Sequence, residues 1–194
     1  MNSPTKRDLQ AETRRSQLLD IALALFAERG VENVSIKDLA TEAGVAQGLI
    51  YHYFQSKDKL LSAVFQRHNP LPQIREIIGE IDALPAREGL VLFAHRVAAL
   101  LPEKRLILRL LARELLSPRS NLLVQAFPSR EEAVIELSQY LQRRIDAGEL
   151  RPHQPRISVH MFVSSLLTLV LLDQPIEPMI PQLLEVLFEG IRLS

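Results

Sequence analysis

In the stretch GVAQGLIYHYFQSKDKLL, Gly44 to Leu61, Gln47 and Gly48 stand four and three positions before Tyr51. On a helix this spacing gathers the three on one side, with His52 at the edge and Ile50 and Phe54 turned away. Their side chains are donors and acceptors rather than nucleophiles. A glutamine amide matches the adenine edge, and a glycine lets backbone approach a duplex closely. Tyrosine hydroxyls, and a lysine at a helix start, suit phosphate oxygens. Lys57 is such a lysine, because Ser56 can cap the helix it opens. Each residue also has a plainer use: Tyr51 and Tyr53 as core rings with exposed hydroxyls, Lys57 and Lys59 as solvated charges, Gly48 as a tolerated small residue. Their order, and their coupling to the helices before them, favour nucleic acid.

Catalysis has little to stand on. There is no cysteine, no glycine-rich phosphate loop, no H-E-x-x-H and no Gly-x-Ser-x-Gly. Glu131 and Glu132 open a helix, where carboxylates favour the macrodipole. The five histidines are scattered and none completes a Glu-x-x-His pair. No catalytic residue, metal or cofactor is expected. Formal net charge is zero: residues 1–68 hold nine Lys/Arg and eight Asp/Glu, leaving fourteen and fifteen of the totals of 23 and 23 for the rest. A nucleic-acid site must therefore come from local placement of charge. The first twenty residues lack a secretory h-region. The apolar run Ile157 to Leu172 falls short of the roughly 18–20 residues that span a bilayer and carries His160 and four hydroxyls. No membrane partner is expected, and a cytoplasmic location fits the absence of cysteine.

The elements that must position these residues are all helical. Residues 1–9 read as a flexible arm, followed by a helix over 10–29 with Leu18, Ile21, Ala22, Leu25 and Phe26 in one stripe and Gly30 as cap. Ser35 and Asp38 form a capping-box pair for a short helix that Gly44 closes. A third helix spans 46–54 and a fourth 57–67, ended by HNPLP. Further helices are expected at 73–82, 87–101, 103–116, 119–126, 129–147, 155–172 and 178–192, with prolines at their starts or in the gaps. The class is all-α, with domains at 1–68 (core 10–60) and 69–194. Two short helices joined by EAGVA have the size of a helix-turn-helix, whose second helix enters the major groove.

Residues 10–60, with LLDIALALFAERGVENVSIKDLATEAGV followed by GLIYHYFQSKDKL, resemble the N-terminal domain of TetR-family transcriptional regulators. The resemblance covers roughly the first third of the chain. It implies a homodimeric repressor with an N-terminal three-helix helix-turn-helix domain and a larger helical domain for ligand binding and dimerisation. A small molecule would release it from a palindromic, double-stranded operator. By position, Ser35 and Lys37 correspond to second-helix residues that contact backbone or bases, Gln47, Gly48 and Tyr51 to base readers, and Tyr53 and Lys57 to phosphate contacts. His52 matches a common residue of variable role. Ala46 and Leu49 depart from the serine and threonine usual there: the first loses a cap worth about 1 kcal/mol, and the second meets a thymine methyl or simply packs.

In the larger domain, polar residues inside apolar helices are candidate anchors for that ligand: His95, Arg109, Arg113, Ser165 and Thr168, with Met161 and Phe162 as walls. Equally, the arginines can form a solvated stripe, the hydroxyls can bond neighbouring carbonyls, and Met161 and Phe162 can fill core or a dimer interface. The resemblance places dimerisation in the last two large helices, 155–172 and 178–192. A helical dimeric interaction protein, or a small-molecule carrier that does not read DNA, is the alternative that the near-neutral N-terminal part allows.

Overall fold

The computed structural model describes residues 5–115 and 130–191, and every regular element among them is helical, as expected. The α-helices are α1 (Lys6–Arg29), α2 (Ile36–Glu42), α3 (Gln47–Phe54), α4 (Lys57–His68), α5 (Leu71–Ile81), α6 (Ala86–Leu100), α7 (Arg105–Leu115), α8 (Arg130–Asp146), α9 (Pro155–Leu171) and α10 (Ile180–Ile191). The helix expected at 119–126 lies outside the described residues. Several starts differ from the sequence reading, α7 and α10 beginning two residues later than expected because short 3-10 turns precede them. Lys6–Leu9 are helical rather than a loose arm, because Thr5 and Asp8 form a capping box: the Thr5 amide donates to the Asp8 carboxylate at 2.9 Å and the Asp8 amide to the Thr5 hydroxyl at 3.3 Å. α5 begins at Leu71, with Pro72 in its first turn, where a missing N–H breaks no helical bond.

Where the sequence reading drew one cut between residues 68 and 69, packing divides the chain differently. One unit comprises the chain up to Asn69 together with Leu106–Leu115 of α7, and the other comprises Pro70–Arg105 and Arg130–Ile191. In the first, α1 packs on α4 and α2, and α3 on α2 and α4. Leu19, Phe26, Leu39, Ile50, Leu60 and Phe65 are fully buried there, each worth roughly 1.5–3 kcal/mol. Gly30 ends α1 at φ 85°, and the Arg113 guanidinium donates to the Glu28 carbonyl at 3.1 Å. A carbonyl in the last turn of a helix lacks an intrahelical partner, so Arg113 acts as a tertiary cap for α1.

In the second unit, α5 pairs with α6 and α8, α8 with α9, and α10 with α6 and α9. Tyr140 of α8 is completely buried, with its hydroxyl 3.2 and 3.1 Å from the Leu84 and Pro85 carbonyls. A Cβ on Gly89 would overlap that hydroxyl, so α6 needs glycine there. Around the ring, Arg144 stacks at 5.3 Å and donates to the Asp82 carbonyl, while the Ala86 amide donates to Glu149 at 2.6 Å. These bonds tie the α5–α6 turn to the end of α8.

Candidate nucleic-acid interface

The α2–α3 turn is built by hydrogen bonding rather than by composition alone. Gly44 takes φ 63°, its amide donates to the Thr41 carbonyl at 3.2 Å, and the Val45 amide donates to the Ala40 carbonyl at 2.9 Å. This is the Schellman pair, and it reverses the chain so that α3 follows at once. At the other end of α2, Ser35 donates from both its amide (2.8 Å) and its hydroxyl (2.5 Å) to Asp38, while accepting from the Asp38 amide. The Ser35 hydroxyl and backbone bonds hold the Asp38 carboxyl below its ordinary pKa. Both donors of Ser35 are thus committed inside the box. Lys37, beside it, is exposed.

α3 presents three faces. Ile50 and Phe54 are buried against the unit's core, and Arg15 covers the Phe54 ring at 5.3 Å. Opposite them Gln47 and Gly48 are exposed and Tyr51 is 49% exposed, so the sequence-derived grouping of these three is met in space. A Cβ on Gly48 would touch nothing within 4 Å; packing inside the chain does not call for glycine there. The third face carries Leu49 and Tyr53, both half-buried. His52 is exposed and meets the Tyr53 ring edge-on, with centroids 5.5 Å apart. Ala46 gives α3 no side-chain cap, whereas Ser56 accepts from the Lys59 amide at 3.1 Å and so sets half-buried Lys57 in the first turn of α4. What the sequence reading missed is the partner of the third face. The first turns of α1, with Lys6, Arg7, Gln10, Arg14 and Gln17, form a groove with Leu49 and Tyr53. The Thr5-x-x-Asp8 pattern was the available signal.

The seven candidate ligand residues are divided between the units, Arg109 and Arg113 in the first and His95, Met161, Phe162, Ser165 and Thr168 in the second. Arg113 caps α1, and Arg109 is exposed on α7 of the first unit. The Ser165 and Thr168 hydroxyls each donate at 2.8 Å to the carbonyl four residues earlier, Met161 and Ser164, which uses their one proton inside the helix. Met161 is 63% exposed, while Phe162 is buried with its ring 6.2 Å from Phe93. His95 borders a cleft of about 400 Å³ between α6 and α10, lined also by Arg87, Val91, Ile180, Leu184 and Glu185. Its Nδ1 lies 2.7 Å from Glu177. Among the described residues no group of His, Asp and Glu could hold a metal ion, and no helix is long and apolar enough to cross a membrane.

Residues 18–64 match the family model for bacterial regulatory proteins of the tetR family. The chain is 35% identical over 95 residues to the HTH-type transcriptional repressor KstR2 of Rhodococcus jostii, an alignment that covers 47% of either protein. The chain thus spans about half or less of the length of the curated relatives it matches. Solved structures share the fold over the whole chain. The TetR-family regulator PfmR of Thermus thermophilus is 21% identical with a TM-score of 0.74, covering 99% of this chain and all of that one. The regulator FadR of Bacillus subtilis, in complex with stearoyl-CoA, is 24% identical with a TM-score of 0.71, covering 91% and 99%. Residues 18–64, which include the helix-turn-helix built by α2 and α3, are thus similar to the bacterial regulatory proteins of the tetR family, and the solved structures share the fold.

Proposed function

We propose that the chain is a sequence-specific DNA-binding transcriptional regulator: a homodimeric repressor that leaves a palindromic operator when a small molecule binds its second unit. The observation that carries this reading is the outward face of α3. Gln47, Gly48 and Tyr51 are presented together by a helix anchored through Ile50 and Phe54, and no packing demand explains the glycine. Gln47 reads a base edge, Gly48 admits the duplex backbone, and Tyr51 contacts base or sugar-phosphate. Lys37, Tyr53 and Lys57 hold phosphates around them. His52 serves through its edge contact with Tyr53, and Leu49 as part of the wall that faces α1 across the groove. Ser35 contributes indirectly, by capping the helix that supports α3.

Dimerisation through α9 and α10 is supported by their outer faces. Ile157 and Met161 are 54% and 63% exposed on α9, and Val186 is 72% exposed on α10. Such large apolar side chains favour burial against a second copy. The α6–α10 cleft, with apolar walls and His95 and Arg87 at its rim, is the candidate effector site. The effector must bind one spacing of the recognition helices better than the other, or it shifts nothing. Such a regulator works in the cytoplasm, where the DNA is.

Selection of duplexes from a random pool, followed by binding titrations, tests the reading. A palindromic site with half-sites roughly 34–36 Å apart is expected. Recovery of no sequence, with only weak, steeply salt-sensitive binding, would overturn it.

A further inference from the structure

The groove between α1 and α3 has a volume of about 700 Å³ and carries more positive charge than its neighbourhood requires. Lys6, Gln10, Arg14 and Gln17 line it at successive turns of α1, with Arg7 beside them. No acid lines it. Asp8 and Glu12 project from the opposite side of the helix by its 100° step, the first bound into the Thr5 box and the second 4.0 Å from Arg15. Lys6, Arg7 and Arg14 make no side-chain hydrogen bond or ion pair among the described residues. In a chain of zero net charge, three unpaired cations facing one groove imply a polyanionic occupant. From Lys6 to Arg14 the helix rises about 12 Å, enough to follow a few phosphates of one DNA strand. The opposite wall is the Leu49–Tyr53 face of α3, whose next face is the one that reads bases.

We propose that this groove is a second DNA-backbone site, in which Lys6, Arg7 and Arg14 hold the sugar-phosphate strand bordering the major groove that α3 enters, with the Tyr53 hydroxyl on the other wall. The proposal rests on the DNA reading of α3. The capping box is part of it, because it turns the residues carrying Lys6 and Arg7 into a rigid ridge instead of a trailing arm. A phosphate site of this kind adds affinity and register without sequence preference.

The test compares the full-length chain with its Lys6→Gln/Arg7→Gln/Arg14→Gln and single Arg14→Glu variants. A duplex that the wild-type chain selects and a scrambled duplex of the same composition are titrated over a range of salt. Each cation that meets a phosphate contributes about 0.9 to the slope of log K against log salt. The triple variant is therefore expected to be shallower by roughly two to three per protomer, and to lose affinity for both duplexes by similar factors. Arg14→Glu is expected to weaken both duplexes as well. Arg29→Gln, at the far end of α1, should leave slope and affinity unchanged. All these positions are exposed or lie at the groove, and helical circular dichroism of each variant checks that the fold is kept. Wild-type slopes in both groove variants, while the wild-type chain selects a sequence, overturn the groove alone. Failure of the wild-type chain to bind any duplex overturns the DNA reading and the groove with it.

Discussion

At Gly48 of α3 a methyl group would touch nothing within 4 Å, so the helix penalty of glycine, roughly 0.5–1 kcal/mol relative to alanine, is not offset inside the chain. Gly48→Ala should therefore raise thermal stability while weakening duplex binding, two opposite readings from one methyl group. Gln47→Ala should leave stability nearly unchanged and reduce discrimination at one base pair by about 1–3 kcal/mol, seen as a relaxed preference in titrations against single-base variants of the selected site. Tyr140 offers a residue-scale test in the other unit. Burial pushes its phenol up from 10.0 to about 12. As pH rises past 10, the unfolded chain releases this proton before the folded one does, so folding stability falls and the loss levels off near 12. Tyr140→Phe lacks the proton and should lose this component of the slope, which denaturant midpoints on either side of pH 10 will report.

Between elements, Gly89 of α6 makes room for the Tyr140 side chain of α8. Gly89→Ala forces a methyl group onto the buried Tyr140 hydroxyl and should cost about 1–3 kcal/mol, read as a lower urea midpoint. Gly79→Ala, in open space on α5, should not. This contrast marks what was legible from sequence. Stripes such as Leu18–Ala22–Leu25–Phe26, caps at Ser35 and Ser56, and prolines in the gaps are local signals, and the helices follow them closely. The outward face of α3 was legible for the same reason, since helical spacing alone sorts Gln47, Gly48 and Tyr51 from Ile50 and Phe54. The candidate pocket was not. Whether Ser165 bonds a ligand or the carbonyl one turn back cannot be read from its type. Arg113 reaches a partner 85 positions away. The groove beside α3 was only partly legible: Gln10, Arg14 and Gln17 fall on the helix expected from residue 10, whereas Lys6 and Arg7 join its wall through the Thr5–Asp8 capping box.

For the whole molecule, self-association is the property most exposed to test. Met161→Glu with Val186→Glu places charge on the outward apolar faces of α9 and α10. For the proposed dimer, sedimentation should show a shift to monomer, and duplex affinity should fall because two half-sites no longer act together. The duplex recognition proposed for α3 belongs to a unit that is not a continuous piece of chain. The backbone leaves that unit at Asn69–Pro70, re-enters it at Leu106, and is back in the other unit by Arg130. With Leu110 fully buried and Arg113 closing the end of α1, α7 completes the unit's packing. An N-terminal fragment cut at residue 69 would lack both. Such a fragment is not a free-standing cassette: grafted onto another protein, or set free by a protease, the reading head would arrive with part of its own foundation left behind.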